Sequence, residues 1–178
     1  HNALNFSMPG SIFLILFFCI ASYNLNAELP YIVNFKYILN ESEAGKKAQS
    51  FLKSKLENGL KNLKEKESNI QEEEKKIIQQ KKLITPEEYK KKVSELRKKV
   101  SSLQQERNQL LDSVSKQRTK ARSEILKNLN PILKDYMKEK KIRMVLDNKS
   151  ILLADESLNI TQDIIKILNQ KLKSIKLK

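Results

Sequence analysis

A chain of 178 residues with 35 Lys and Arg against 21 Asp and Glu, a net charge of +14 and 39% hydrophobic residues has room for one ordinary domain and no large core of its own. Its one histidine is His1, its one cysteine is Cys19, and from residue 28 onward it holds two glycines, Gly45 and Gly59. That excludes the usual zinc sites, thiol and serine–histidine nucleophiles and glycine-rich phosphate loops, so neither an enzyme nor a cofactor is expected.

Residues 1–27 read as an export signal. Ser11 to Ala21 is an eleven-residue uncharged apolar run, short for a membrane span and right for a signal core. Cleavage after Ala27 would make Glu28 the first mature residue and remove the only cysteine. A retained apolar anchor is the rival reading, and it would make the protein a membrane-tethered structural coiled coil.

Tyr31 to Leu39 is β-prone. Asn40, Glu41, Ser42 and Glu43 follow it and can cap a helix. From Lys46 to Asn130 the only proline is Pro86, and no glycine follows Gly59, so this lysine-rich stretch is helical. Thr85, Pro86 and Glu88 fit a capping box with proline at the first helical position. The proline therefore starts a second helix, and residues 46–129 form a hairpin arm with its tip near 84–87. Leu56, Leu63, Ile70, Ile77 and Ile84 recur every seventh residue on the first helix. Val93, Val100, Val114 and Ala121 fall on a seven-residue series of the second helix, joined by Leu96, Leu103 and Leu110. These are coiled-coil seams. A register in which facing numbers sum to about 170 pairs Ile77 with Val93, Ile70 with Val100, Leu56 with Val114 and Leu60 with Leu110. A second core series, Leu60, Glu67, Glu74 and Lys81, is mostly polar, and Glu67 is placed to meet Arg107. The plainer reading of those two is a pair of long side chains reaching solvent.

Between 46 and 127 there are 23 basic and 12 acidic residues, so the arm carries most of the excess charge. A solvated helical face accounts for such runs as well as a binding surface does. As a binding surface, the candidate residues are Lys75, Lys76, Lys81, Lys82, Lys90, Lys91, Lys92, Lys98 and Lys99.

After the arm, Pro131 marks a bend into the body. Arg143 to Asp147 and Ser150 to Ala154 then flank Asn148 and Lys149 as a β-hairpin. Thr161 is expected to cap a terminal helix with Ile164, Ile165, Leu168 and Leu172 on one face. Residues 28–45 and 130–178 thus make a small discontinuous β body, α+β overall. Its sheet edges need covering, and further copies of the chain are the economical cover. The residues expected there are Ile32, Val33, Phe35, Val145, Leu146, Ile151 and Leu152.

The segment Ile32 to Ala48 (IVNFKYILNESEAGKKA) resembles the opening strand and helix start of the Skp/OmpH family of periplasmic chaperones. Val145 to Thr161 (VLDNKSILLADESLNIT) is similar to its closing hairpin, and Asn130, Pro131 and Ile132 to its helix bend. The resemblance implies a homotrimer shaped like a jellyfish, whose arms enclose a cavity. There it would hold unfolded outer-membrane proteins in the periplasm, without ATP, until they are assembled. It also implies lipopolysaccharide or an anionic membrane surface as a further partner, with no residue carried over for it. The rival from charge alone is a nucleic-acid binder. Against that stand the export signal, the five arginines to thirty lysines and the lack of a base-reading module, so no specific nucleic acid is expected.

Overall fold

The computed structural model describes residues 28–178, and the expected signal segment, 1–27, lies outside the described residues. Strand β1 (Tyr31–Val33) leads into a short helix α1 (Phe35–Glu41), then the long helices α2 (Glu43–Gln80) and α3 (Pro86–Lys140). Strand β2 (Val145–Asp147) and helix α4 (Thr161–Lys171) complete the chain. β1 and β2 pair in parallel, Tyr31 with Val145 and Val33 with Asp147. Parallel neighbours need a crossover, and here the whole arm is that crossover. On the other side of β1, Ile32 bridges Asn159, and the Ile160 amide donates to the Ile32 carbonyl at 2.9 Å.

The β-prone run 31–39 is strand for only three residues. The Asn34 side chain accepts from the Tyr37 amide at 2.9 Å and starts α1, which turns Phe35 from a strand residue into a helical one. Ser42, fully buried, then ends α1 through its own amide and opens α2 by accepting from the Gly45 amide at 3.2 Å. Gly45 is required by packing: a Cβ there would fall on the Leu39 carbonyl oxygen.

α3 begins at the predicted capping box. Thr85 accepts from the Glu88 amide at 3.2 Å and Glu88 accepts from the Thr85 amide at 3.3 Å. Glu87 and Glu88 lie in its first turn, Lys138 and Lys140 in its last, the charge order that its dipole favours. The helix continues through Pro131 rather than ending there. It stops at Lys141, whose left-handed φ of 55° lets the Ile142 amide reach the Met137 carbonyl at 2.8 Å.

The lower third of α3 builds the core. Val33, Ile38, Ile125, Leu129, Ile132, Ile164 and Leu168 are each at most 2% exposed, and each such side chain contributes about 1.5–3 kcal/mol. α4 supplies the expected face through Ile164, Ile165 and Leu168. Thr161 does not cap it. Its hydroxyl accepts from the Asn34 amide at 2.9 Å, which ties α4 to the β1–α1 corner, while the Asn159 side chain takes the Thr161 amide at 3.0 Å.

The expected second hairpin is not formed. The Asp147 carboxylate draws in the Lys149 amide, and Asn148–Ser150 wind into a 3-10 turn, the local competition that short acidic side chains offer to a ladder. Ile151 and Leu152 therefore join no strand. Leu152 and Leu153 stand 103% and 90% exposed. Of the body residues expected in the sheet, Ile32, Val33, Val145 and Leu146 lie in it; Phe35 packs against the core from α1.

Candidate functional site: the basic arm

α2, with 38 residues, is about 57 Å long. Its partner within the arm is the upper part of α3. The seam between them holds Leu63, Ile77, Val114 and Ala121 buried, and Leu56, Ile70, Val93, Leu96, Leu103 and Leu110 half-buried. Two expected layers are replaced. Val100 is 51% exposed and Leu60 is 42% exposed. Ile70 and Leu103 line one groove, and the partner of Leu110 is Gly59, where a Cβ would come within 2.5 Å of a leucine methyl. The second core series thus contains the glycine rather than the neighbouring leucine.

Beside that seam runs a polar ladder. Lys92 Nζ donates to Gln80 Oε1 at 3.3 Å, Lys99 to Glu73 at 2.6 Å, and Lys66 to Glu106 at 2.5 Å. The rungs are seven residues apart on both helices, and each pair's numbers sum to 172. The sense of the charge reverses between the last two rungs. Glu67 and Arg107 also meet, at 3.6 Å, with both side chains still about half exposed, so they form a pair and reach solvent as well. This ladder had a sequence signal, the matched heptad spacing of Lys66, Glu73 and Gln80 with Lys92, Lys99 and Glu106, but polar residues at that spacing look like surface.

The nine candidate lysines fall into groups. Lys92 and Lys99 are rungs of the ladder. Lys81 lies over the Tyr89 ring, 5.4 Å from its centre, a cation–π contact that steadies the tip. Lys75, Lys76, Lys82, Lys90, Lys91 and Lys98 are exposed, and among the described residues none has an acidic partner within 4 Å. Among them stand apolar side chains not foreseen as functional: Ile78, Leu83 and Val100, with Leu83 83% exposed at the tip. The arm surface is therefore cationic and apolar at once. It can attract acidic chains at long range and hold apolar side chains at contact. Among the described residues no cluster of metal-ligating side chains occurs, and no helix is long and apolar enough to cross a membrane.

The family model for OmpH-like outer membrane proteins matches residues 31–168, from β1 into α4. The chain belongs to the OmpH-like family. The comparison with curated proteins gave no match. Among solved structures, a candidate outer membrane chaperone (OmpH-like) from Caulobacter crescentus CB15 superposes with a TM-score of 0.78 at 20% identity. The match covers 84% of this chain and 90% of that one, and at that identity the likeness is one of fold. It is the α+β arrangement of a long helical hairpin on a small sheet-bearing body. In this OmpH-like chain the half-exposed ladder that crosses the seam and the lysines without an acidic partner are separate sets.

Proposed function

We propose that this chain is an ATP-independent holdase chaperone of the periplasm. It captures unfolded outer-membrane proteins between the arms of a homotrimer and keeps them soluble for assembly. The observation that carries this reading is the mixed surface of the arm. Six lysines without an acidic partner among the described residues stand among Ile78, Leu83 and Val100 on a long helical projection, a surface for many weak contacts along an acidic, apolar-rich chain. Family membership supports it. The homotrimer is supported by the body: a two-stranded sheet and the exposed Leu152 and Leu153 are economically covered by further copies.

The test is light scattering of an unfolded outer-membrane protein diluted from denaturant. A several-fold excess of this chain over client should suppress the rise. Lys90→Glu, Lys91→Glu and Lys98→Glu together should slow capture several-fold at low salt and little at high salt, because screening already removes attraction beyond about 8–10 Å. The helical melt should be unchanged. Unsuppressed aggregation, or tight duplex DNA binding with a steep salt slope in its place, would overturn the reading.

A further inference from the structure

At the root of the arm the seam between α2 and α3 has two flanks, and the chain itself covers one of them. Residues 175–177 lie against that flank without regular secondary structure. Ile175 and Leu177 are half-buried beside Ala48 and Phe51, and Lys120 of α3 donates to the Lys176 carbonyl at 2.9 Å. The opposite flank is an open cleft of about 510 Å³. Its floor is Ala48, Leu52 and Ala121, all buried, and Leu39 and Leu56 stand half-buried at its walls. Ala48 lines both clefts, so they lie back to back across one small side chain.

The rim of the open cleft carries charge of one sign. Arg118 and Arg122, one turn apart on α3, and Lys53 of α2 edge it, and no Asp or Glu lines it. Lys53 has Glu57 at 3.9 Å, whereas among the described residues neither arginine has an acidic partner within 4 Å. The residue type matters as well as the charge. The chain holds five arginines to thirty lysines, and two of the five stand here. A guanidinium grips a carboxylate through two parallel hydrogen bonds, which an ammonium cannot do. An apolar floor beneath two such groups fits a chain that offers apolar side chains and carboxylates together. The covered flank shows the form in which a chain fits such a valley, extended with its apolar residues alternating inward.

We propose that the open cleft binds an extended segment of an unfolded client in which apolar and acidic residues alternate. Arg118 and Arg122 take its carboxylates, and Leu39 and Leu56 take its apolar side chains. The proposal rests on the chaperone reading and adds a defined grip at the root of the arm to the looser contacts of its lysine-rich outer half. Attraction by the exposed lysines is long-ranged and fades with salt, whereas a partly buried arginine–carboxylate pair is screened much less.

The probe is a short fluorescent peptide alternating leucine and glutamate, with a benzophenone at its centre. Lysine in place of glutamate, and serine in place of leucine, give two control peptides. At about 0.15 M salt, where exposed charges are screened beyond about 8 Å, R118Q/R122Q in the full chain should weaken binding at least about tenfold, as loss of charge-assisted hydrogen bonds requires. K61Q/K64Q, which removes the same charge farther along α2, should change it less than about twofold. R118K/R122K, which keeps the charge and loses the fork, should fall between them. Both control peptides should bind weakly to every form. Photocrosslinks should concentrate on residues 48–56 and 118–125. The native chain alone yields that map, so the map decides where a variant fails to fold. Equal weakening by R118Q/R122Q and K61Q/K64Q, or crosslinks spread evenly along the arm, overturns the cleft. So does an assembly of lower mass for R118Q/R122Q than for native protein, which would assign the cleft to a second copy. Light scattering of a diluted outer-membrane protein separates this from the parent reading. Equal suppression of aggregation by native chain and R118Q/R122Q, at limiting amounts of each, would leave the chaperone intact and remove the cleft as a client contact. No suppression by the native chain would remove the chaperone, and the peptide contrast would then keep or remove the cleft as an acidic-peptide site.

Discussion

Lys99 reaches across the arm to Glu73 at 2.6 Å, and one heptad closer to the body the same rung is built the other way round, Lys66 donating to Glu106 at 2.5 Å. Both pairs are about half exposed, so each is worth no more than about 0.2–1 kcal/mol. Their value is in the reversal. Sliding one helix by a heptad relative to the other sets acid against acid or lysine against lysine, so one register is preferred by a difference that the seam alone supplies weakly.

The single reversal E73K should therefore lower stability by about 1 kcal/mol, and E73K/K99E should restore it. Denaturant midpoints in a double-mutant cycle measure this. The same register predicts that cysteines at Ile70 and Leu103 form a disulfide within one chain, whereas Ile70 with Val100 does not, since the exposed Val100 points away from the groove that Ile70 and Leu103 share.

Tyr136 gives the body a pH dependence. Its hydroxyl donates to the Asp163 carboxylate at 2.7 Å. Burial first, and that bond second, push its pKa up to about 12. The folded state holds this proton more tightly than the unfolded one, whose tyrosine titrates near 10. The stabilisation is thus complete below about pH 10 and is lost as pH rises toward about 12. Tyr136→Phe should cost about 1.5–3 kcal/mol at neutral pH. The gap between variant and native melts should narrow over that alkaline window, which thermal melts from pH 8 to 12 would show.

The two glycines of the described chain should respond differently to alanine. At Gly45 the obstacle is the Leu39 carbonyl, which is backbone, so Gly45→Ala should cost at least about 1–3 kcal/mol. At Gly59 the obstacle is the end of the Leu110 side chain, which can rotate. The gain of about 1 kcal/mol from removing a glycine in mid-helix offsets much of that strain, so Gly59→Ala should be close to neutral. Urea midpoints of the two variants settle the contrast.

The arm was largely legible because its signals are local or strictly periodic. Thr85 and Glu88 cap from adjacent turns, and Leu56 to Ile77 repeat regardless of the rest of the fold. Register placed Glu67 within reach of Arg107, but long charged side chains at that spacing read more plainly as reaching solvent, so their contact was only half legible. The seam's second series was misplaced because scoring by side chain favours Leu60 over Gly59, whereas what Leu110 needs is empty space. The body was less legible. Whether Phe35 continues a strand depends on Asn34 capping Tyr37, and whether 150–154 pairs depends on Asp147 taking the Lys149 amide. Each is one hydrogen bond that decides between two conformations of similar propensity. The unpaired lysines were identifiable as residues, but their separation from Lys92 and Lys99 required knowing which of them cross the seam.

The parallel pairing of Tyr31 with Val145 has a consequence for how this protein comes into being. Joining two strands across so long an unstructured chain would forfeit about 4 kcal/mol of entropy before any contact repaid it. The helices remove that obstacle: once the hairpin has zipped from Thr85 downward, the two strands are delivered side by side as if joined by a short turn. The arm is then a scaffold for its own foundation before it serves any other chain. Its length is also free to change in whole heptads, because the body meets only its two lower ends.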